Sequence, residues 1–224
     1  MPTKTQQGPK PPRRPELRLP PLRPFPGEGL EPDGDYDGLE LPGTDLSGED
    51  GSGARFLDCA LRGVALDRTR LTAARFIDSA LEGVRGTGTD LADAVFRDAE
   101  LTDARFGGVA LHGAAFERVV VRGGKSDFLN FRGASLTDVV FEDCVLVEPD
   151  FQEARLTRVS FAGCSLRGAD FTGAALTDVD LRGARELTVT RGLDSLRGAT
   201  ISPEQLFDLA PAFAAQLGVE VRPR

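Results

Sequence analysis

Large apolar residues recur at every fifth position through most of the chain. The frame runs from Leu41 to Leu181, and 26 of its 29 positions are Leu, Phe or Val. A helix repeats near 3.6 residues and a strand at 2, so neither element explains this period. The exceptions are Gly51, Gly86 and Ser126.

Two further sets of residues follow the same period. Small residues stand two positions before the large ones, as at Ala169 and Ala174, and Gly or Asp stands two positions after them, as at Gly168 and Asp178. If each five-residue unit forms one side of a square coil, the large and small residues point inward and Gly or Asp makes the corner. Four units then close a coil, and coils stack about 4.8 Å apart with their amides paired.

The unit, seen in GADFTGAALTDVDLRGA, resembles the A(D/N)LXX repeat of the pentapeptide-repeat family. The resemblance covers about 149 residues, 37–185. It implies an all-β solenoid, a quadrilateral β-helix, and its right-handedness is implied by the family alone. The repeat therefore predicts a rod whose outer walls are the surface free to meet other molecules.

The Phe residues predict how the walls align. Their spacing changes phase by five residues at VVVRGGKSDFLNF, so we predict a five-residue insertion there, leaving about seven coils, roughly 34 Å long. The candidate interaction loop is Gly123, Gly124, Lys125, Ser126 and Asp127. One wall would then hold Phe56, Phe76, Phe96, Phe116, Phe141 and Phe161, and the opposite wall Phe106, Phe131, Phe151 and Phe171, with Leu61, Leu136, Leu156 and Leu176 among the remaining core residues.

Composition divides the chain into three regions. Residues 1–36 hold 10 of the 15 prolines and cannot bury a core of their own, so we expect a disordered or polyproline-like tail. Residues 37–185 carry the repeat, and residues 186–224 form a C-terminal cap with a short helix.

The C-terminal helix has clear boundary signals. Ser202 is the predicted N-cap, Pro203 the first helical residue, Gln205 the closing residue of a capping box and Gly218 the stop. Pro211 is expected to kink or break the helix. In the gyrase-targeting branch of the family this segment also joins two rods, and the residues that would cap the rod or form a homodimer here are Leu206, Leu209, Phe213 and Leu217.

The net charge of −8 argues against direct binding of nucleic acid. No run of apolar residues predicts a membrane span or a signal peptide, so we expect a cytoplasmic protein. We expect no cofactor, metal or catalytic activity, because the acidic residues lie on a convex rod. The segment Asp33–Gly38 resembles a calcium loop only weakly, and an acidic turn is the favoured interpretation.

The three cysteines occupy the small inward position, where a buried hydrophobe is the favoured role. With the insertion removed, Cys59, Cys144 and Cys164 would share one column. A metal site or a Cys144–Cys164 disulfide is the less favoured alternative, because parallel side chains do not converge on a metal and a reducing compartment disfavours disulfides.

Two functions remain open. The favoured one is a non-enzymatic scaffold that binds an unassigned protein partner. The alternative, implied by the family resemblance, is an acidic DNA mimic that binds DNA gyrase and protects it from quinolone inhibitors. Duplex DNA carries about 20 charges over such a rod, whereas residues 37–185 carry 25 acidic and 17 basic side chains. The candidate acidic surface is Asp58, Asp78, Asp98, Asp138 and Asp143, with Arg118 interrupting the aligned aspartates.

Overall fold

The computed structural model describes residues 8–27 and 29–222. Its strands are mostly short, because each side of a coil offers few residues before the next corner. In chain order they are β1 Arg23–Pro24, β2 Asp35–Asp37, β3 Leu39–Pro42, β4 Arg55–Leu57, β5 Ala60–Arg62, β6 Arg75–Ile77, β7 Ala80–Glu82, β8 Arg85–Thr87, β9 Val95–Thr102, β10 Arg105–Gly107, β11 Ala115–Arg122, β12 Lys125–Asp127, β13 Ser135–Glu142, β14 Val145–Val147, β15 Arg155–Ala162, β16 Ser165–Asp170, β17 Ala175–Asp180, β18 Glu186–Arg191 and β19 Ala199–Thr200. A 3₁₀ turn, Leu193–Leu196, precedes β19, and one α-helix, α1 Pro203–Gln216, follows it.

The strands stack in parallel into a β-solenoid with a 20-residue coil. They form a thirteen-stranded and a six-stranded sheet, and isolated bridges mark a further wall. The solenoid predicted from the repeat is thus confirmed. The backbone partners along one wall make ten rungs and nine steps, namely Pro24, Glu40, Ala60, Ala80, Glu100, Val120, Val140, Ser160, Asp180 and Thr200.

The predicted count of about seven coils was too low for two reasons. Strand pairing extends beyond residues 37–185, to β1 at one end and to β18 and β19 at the other. The predicted insertion is also wrong, because Lys125 pairs with both Arg105 and Val145, and Ser126 lies between Phe106 and Leu146.

The residues of the predicted loop belong to the coil. Gly123 is a corner with φ +65°, and Lys125–Asp127 is β12. A Cβ on Gly124 would lie 2.1 Å from the carbonyl oxygen of Ala104. The glycine pair therefore permits a tight corner and a close approach between coils, and does not form a projecting loop.

The continuous 20-residue register places several Phe residues on walls other than the predicted ones. Phe56, Phe76, Phe96 and Phe116 stack at 4.7–4.9 Å between ring centroids, and Leu136, Leu156 and Leu176 continue that wall. Phe141 and Phe161 stack on a second wall, Phe131, Phe151 and Phe171 on a third, and Phe106 lies on the fourth. The predicted placement of Phe141 and Phe161 on the first wall, and of Phe106 with Phe131, was wrong. Cys59 likewise does not share the column of Cys144 and Cys164.

The shaft tolerates this change because rings from neighbouring walls, and from opposite walls, meet inside it. Phe116 contacts Phe131 edge to face at 5.9 Å, and Phe151 contacts Phe161 at 6.3 Å. A ring can therefore move to the next wall while the volume filled within a coil changes little. Phe106 apart, the Phe and Leu residues predicted for the walls and core number thirteen. Each of the thirteen is buried, with 7% exposure or less.

The N-terminal segment packs against the rod, so the disordered alternative of the expectation is wrong for the described part of the tail, and the polyproline-like alternative stays a prediction. We call residues 8–24 the strap. Its C-terminal end, β1, pairs with β3, and at its other end the backbone N–H of Lys10 donates to Asp178 at 3.2 Å. Composition alone indicated disorder because the strap cannot form its own core, but it packs on a wall that the rest of the chain builds. Residues 1–7 of the predicted tail lie outside the described residues.

The segment between the strap and β3 also joins the solenoid. Tyr36 stacks on Phe56 at 4.9 Å, so it continues the Phe column, and Asp35 pairs with Arg55 at 2.8 Å. The exception Gly51 makes room here, because a Cβ on it would lie 3.1 Å from Leu30. The stretch interpreted as an acidic turn is therefore a turn at Asp33 followed by a coil strand at Asp35–Asp37.

The C-terminal helix closes the last coil. Ser202 and Gln205 form the predicted capping box, and the helix ends before Gly218, whose φ is +70°. Pro211 lies inside a single continuous helix, so the expected break into two helices is absent from the described residues. The Gln205 amide donates to the carbonyl oxygens of Leu181 and Ala184 at 2.8 and 3.0 Å, which satisfies open groups of the terminal coil.

We predict opposite outcomes at two exceptions to the repeat. Ser126→Val should stabilise the protein by about 0.5–2 kcal/mol, because Ser126 lines an apolar cavity of about 40 Å³ beside Phe106 and Phe131. Gly86→Ala should destabilise it, because the new Cβ would lie 2.3 Å from the Thr89 hydroxyl, which donates to the Leu66 carbonyl. Urea unfolding of both variants measures this, and equal shifts of one sign would contradict the packing.

Candidate interaction site

One corner of the rod carries a column of charged residues, which we call the acid corner. Its members have φ between +48° and +58°, a left-handed conformation that Asp tolerates better than most residues. Aspartates therefore suit the corner geometry while presenting their carboxylates outward. The acid corner consists of Asp58, Asp78, Asp98, Arg118, Asp138, Arg158 and Asp178.

Two arginines of the acid corner neutralise the aspartates of the preceding coils. Arg118 donates to both oxygens of Asp98 at 2.6 and 2.7 Å, and this pairing raises the pKa of the guanidinium. Arg158 donates in the same way to Asp138 at 2.6 and 2.8 Å. The predicted interruption at Arg118 is thus one bidentate ion pair, and Arg158 forms a second one two coils further on.

Asp138 is the most buried member of the acid corner. Its side chain is 0% exposed, beneath Arg158 and the strap residue Arg13, whose Nε donates to it at 2.9 Å. The bonds from Arg158, together with those from Arg13, hold the pKa of Asp138 well below its usual range despite burial. Asp138 is therefore part of an internal contact and not a free acidic surface.

The free acidic surface is restricted to the first coils. Among the described residues, Asp58 and Asp78 form no salt bridge. Burial, with the charges of Asp98 and Asp58, raises the pKa of Asp78. Asp143, predicted in the same surface, lies on a neighbouring corner and pairs with Arg185 at 2.8 Å.

Many other acidic residues serve the backbone. Each accepts the amide N–H two residues later, at 2.8–3.1 Å, in the manner of an Asx turn. Their carboxylates are explained by turn geometry, so the acidic composition alone is not evidence of a DNA-like surface. They are Asp45, Asp50, Asp90, Asp150, Asp170 and Asp180.

An exposed aromatic residue, Phe128, stands at the end of the predicted insertion, but its exposed ring was not among the predicted interaction residues. Phe128 is 55% exposed at a corner with φ +58°, where a bulky residue is uncommon. The sequence signal that could have indicated this exposed ring is an apolar residue at the corner position of the repeat, which Gly or Asp usually occupies. Lys125 and Asp127 face outward beside it and pair at 3.1 Å.

The C-terminal cap presents some of its predicted residues and buries others. Leu209 is buried and Phe213 is half-buried against the core, whereas Leu206 and Leu217 are exposed. Phe207, which was not predicted, is 77% exposed. Only part of the predicted set is therefore available to a partner.

The cysteines are free and buried. Burial raises the pKa of the Cys59 thiol, and the neighbouring Cys164 together with burial raises that of Cys144. Their thiols donate weakly to backbone carbonyls, such as Cys59 to Leu57 at 3.3 Å. Within residues 8–27 and 29–222, no three His, Cys, Asp or Glu side chains are placed to share a metal ion.

Comparisons with known proteins identify the repeat. A family model described as "Pentapeptide repeat region" matches residues 125–185, and one described as "Pentapeptide repeats (8 copies)" matches residues 87–118. No curated protein sequence matches the chain. Over the part of the chain that the structure describes, no helix is both long and apolar enough to cross a bilayer.

Solved structures of similar architecture share little sequence with the chain. HetL of the cyanobacterium Nostoc sp. strain PCC 7120, a pentapeptide repeat protein involved in heterocyst differentiation regulation, is 22% identical, with a TM-score of 0.41 over 78% of this chain and 92% of that one. QnrB1, a plasmid-mediated fluoroquinolone resistance protein, is 20% identical in a trypsin-treated form, with a TM-score of 0.40 over 89% and 95% of the two chains. AT2G44920 from the Arabidopsis thaliana thylakoid lumen is 18% identical, with a TM-score of 0.17 over 76% and 77%.

We predict that Asp138→Ala lowers the free energy of unfolding by about 1–3 kcal/mol, because it leaves Arg158 without its buried partner. The matched variant Asp58→Ala, on the same corner and without a salt bridge, should change it by less than about 0.5 kcal/mol. The pKa of Asp138 is lower in the folded protein than in the unfolded chain, so its ionised carboxylate stabilises the fold. That contribution to the free energy of unfolding is complete above the ordinary pKa of about 3.9 and is lost as the pH falls through the folded-state pKa. The difference between wild type and Asp138→Ala, measured by urea unfolding, should therefore shrink below about pH 4.

Proposed function

The chain belongs to the pentapeptide-repeat family, and from that premise we propose that it is a non-enzymatic scaffold for protein interaction, with a basic protein surface as its partner. The observation that supports this proposal is the free part of the acid corner. Asp58 and Asp78 lie one coil apart on a rigid wall and have no cation paired with them among the described residues.

A cationic partner would relieve a cost that the free rod carries. Carboxylates on adjacent coils repel each other, and the raised pKa of Asp78 reflects its burial and that repulsion. The coil backbone holds both side chains in place, so a partner would order few groups on binding. Asp98 is already paired with Arg118 and would contribute less.

The alternative function is an acidic mimic of duplex DNA that binds DNA gyrase and protects it from inhibitors. The alignment of Asp58, Asp78 and Asp98 supports it. The pairing of Asp98 and Asp138 with arginines opposes it, because the acid corner then lacks a continuous row of unpaired charges. We therefore favour the scaffold.

Replacement of both free aspartates by asparagine tests the acid corner. Asn keeps the left-handed corner and removes the charge. Asp58→Asn with Asp78→Asn should weaken partner capture by the full chain about fivefold to tenfold, and the wild-type interaction should weaken as salt is raised. Quantitative mass spectrometry of captured proteins measures this, with Asp103→Asn, a corner residue on another edge, as the matched control.

The two functions give different results. Identical capture by wild type and the double variant would reject the acid corner as the binding surface. In a supercoiling assay, wild-type protein at micromolar concentration that neither inhibits gyrase nor protects it from a quinolone would reject DNA mimicry. A salt-sensitive loss of capture together with an inactive supercoiling assay is the outcome we expect.

We also propose that the exposed apolar residues of α1 join two copies of the chain. Leu206 and Leu217 are exposed beside Phe207, Val219 and Val221, which is an unusual concentration of apolar surface. Leu206→Glu with Leu217→Glu should convert a dimer to a monomer in light scattering at micromolar concentration. The control Leu209→Glu should unfold the cap instead, because Leu209 is buried, and a wild-type monomer would reject the proposal.

A further inference from the structure

We propose that the wall beneath the strap is a groove that binds proline-rich, arginine-containing segments of other proteins, with the strap as its intramolecular ligand. We call this surface the strap groove. Its floor adjoins Asp58 and Asp78, which stand two residues before Ala60 and Ala80, but its argument does not depend on their role in the proposed function. The strap groove comprises Ala60, Ala80, Val120 and Val140, flanked by Asp138, Asp178 and Glu142.

The floor of the strap groove is apolar although it faces outward. Ala60, Ala80, Val120 and Val140 are next to inward-pointing residues, so strand alternation turns their side chains out of the shaft. They are nevertheless only 0–6% exposed. Val145, an outward residue on another wall, stays partly exposed. The outward alanine Ala65 on another wall is also only 3% exposed, so it is the low exposure of Val120 and Val140 that reflects cover from outside.

The two ends of the strap identify that cover. Pro9, Lys10 and Pro12 lie in one shallow cavity with Val140 and Ser160, and the other end of the strap pairs with β3. From Lys10 to Arg23 the strap crosses seven rung steps, roughly 34 Å at about 4.8 Å each. Thirteen residues of polyproline II helix span about 40 Å, so an extended strap reaches along the whole groove.

The burial pattern of the strap fits a polyproline II conformation. Its more buried residues stand three apart at Pro9, Pro12 and Pro15 and again at Leu19 and Leu22, and Leu17, between the two runs, departs from this spacing. Polyproline II has three residues per turn, so the side chains within each run share one face. Pro15, at the centre, is buried. The groove therefore selects a backbone conformation that proline favours and that needs no amide donors.

Charged groups on both edges select arginine. Arg13 donates its backbone N–H and its Nε to Asp138 at 3.0 and 2.9 Å, and Arg14 donates to Glu142 on the opposite edge. The carboxylate of Asp138 is buried by these contacts and by Arg158. A ligand must therefore supply a guanidinium beside its prolines, which defines the partner as a proline-rich and basic segment.

The strap is held more loosely than any coil. In the described chain, residues 9–22 form no backbone–backbone hydrogen bond with the rod, and the first such bond is Arg23 N–H to the Gly38 carbonyl at 2.8 Å. The buried core cluster contains no strap residue. Release of the strap therefore leaves the shaft packed, and an external segment competes only with the effective concentration of the tethered strap, on the order of millimolar.

The test uses the full chain and a fluorescent peptide with the sequence of residues 8–24. In Arg13→Glu with Arg14→Glu, repulsion from Asp138 and Glu142 should release the strap, and its backbone amides at positions 10 and 13 should lose protection in hydrogen exchange. This variant should bind the peptide at least about tenfold more tightly than wild type does, by fluorescence anisotropy. Adding Val140→Asp on the groove floor should abolish binding, whereas Asp103→Asn, at a corner on another edge, should not affect it.

Each contrary result counts against the proposal. Equal peptide affinity for the released variant and wild type would reject the groove, as would equal binding of a peptide carrying the same two glutamates. Protected strap amides in the variant would show that the arginines do not hold the strap. Light scattering tests one further explanation of protected strap amides, namely a dimer in which two copies exchange straps. A dimer that excludes the peptide would assign the groove to a second copy of the chain.

Discussion

Hydrogen bonding between coils at a 20-residue register is the constraint on which the rest of the structure depends. Each coil pairs its amides with the coils above and below, so no wall can slip without breaking the pairing of the whole coil. The narrow shaft adds a second condition, because one inward residue on each side must be small. Every surface feature inherits its position from these two requirements, including the acid corner.

The wall positions were predictable from the sequence because backbone pairing and burial impose a five-residue period on it. The Phe alignment was not predictable, because inward rings from different walls share one volume. Phe131 meets Phe116 across a corner, so a ring on one wall substitutes for a ring on the next. The change of Phe phase at Ser126 therefore resembles an insertion in the sequence, although the backbone register continues unchanged.

The strap and the acidic residues were misjudged for a related reason. A proline-rich segment fails every test for a self-contained core, but it needs only an apolar wall supplied by another part of the chain. Acidic residues suggested a charged surface, but Asp50 and Asp150 cap turns and Asp138 binds arginines. Whether a carboxylate is free to bind another molecule or is used in an internal contact depends on its partners in neighbouring coils. A single sequence does not reveal those partners. The helix cap was predictable because its signals are local.

The acid corner and the strap groove are two parts of one edge with different occupancy. Along the corner, Asp58 and Asp78 face outward without a cation, whereas Asp138 and Asp178 are contacted by the strap. The coils that contain Asp138 and Asp178 thus show how the acid corner binds a basic segment, here the strap. The carboxylates accept from backbone amides and guanidinium groups, and the neighbouring wall accepts apolar side chains. This internal example makes a basic, extended chain the natural ligand class for the whole edge, and it explains why alternating Asp and Arg on the corner do not reproduce the uniform charge of a nucleic acid.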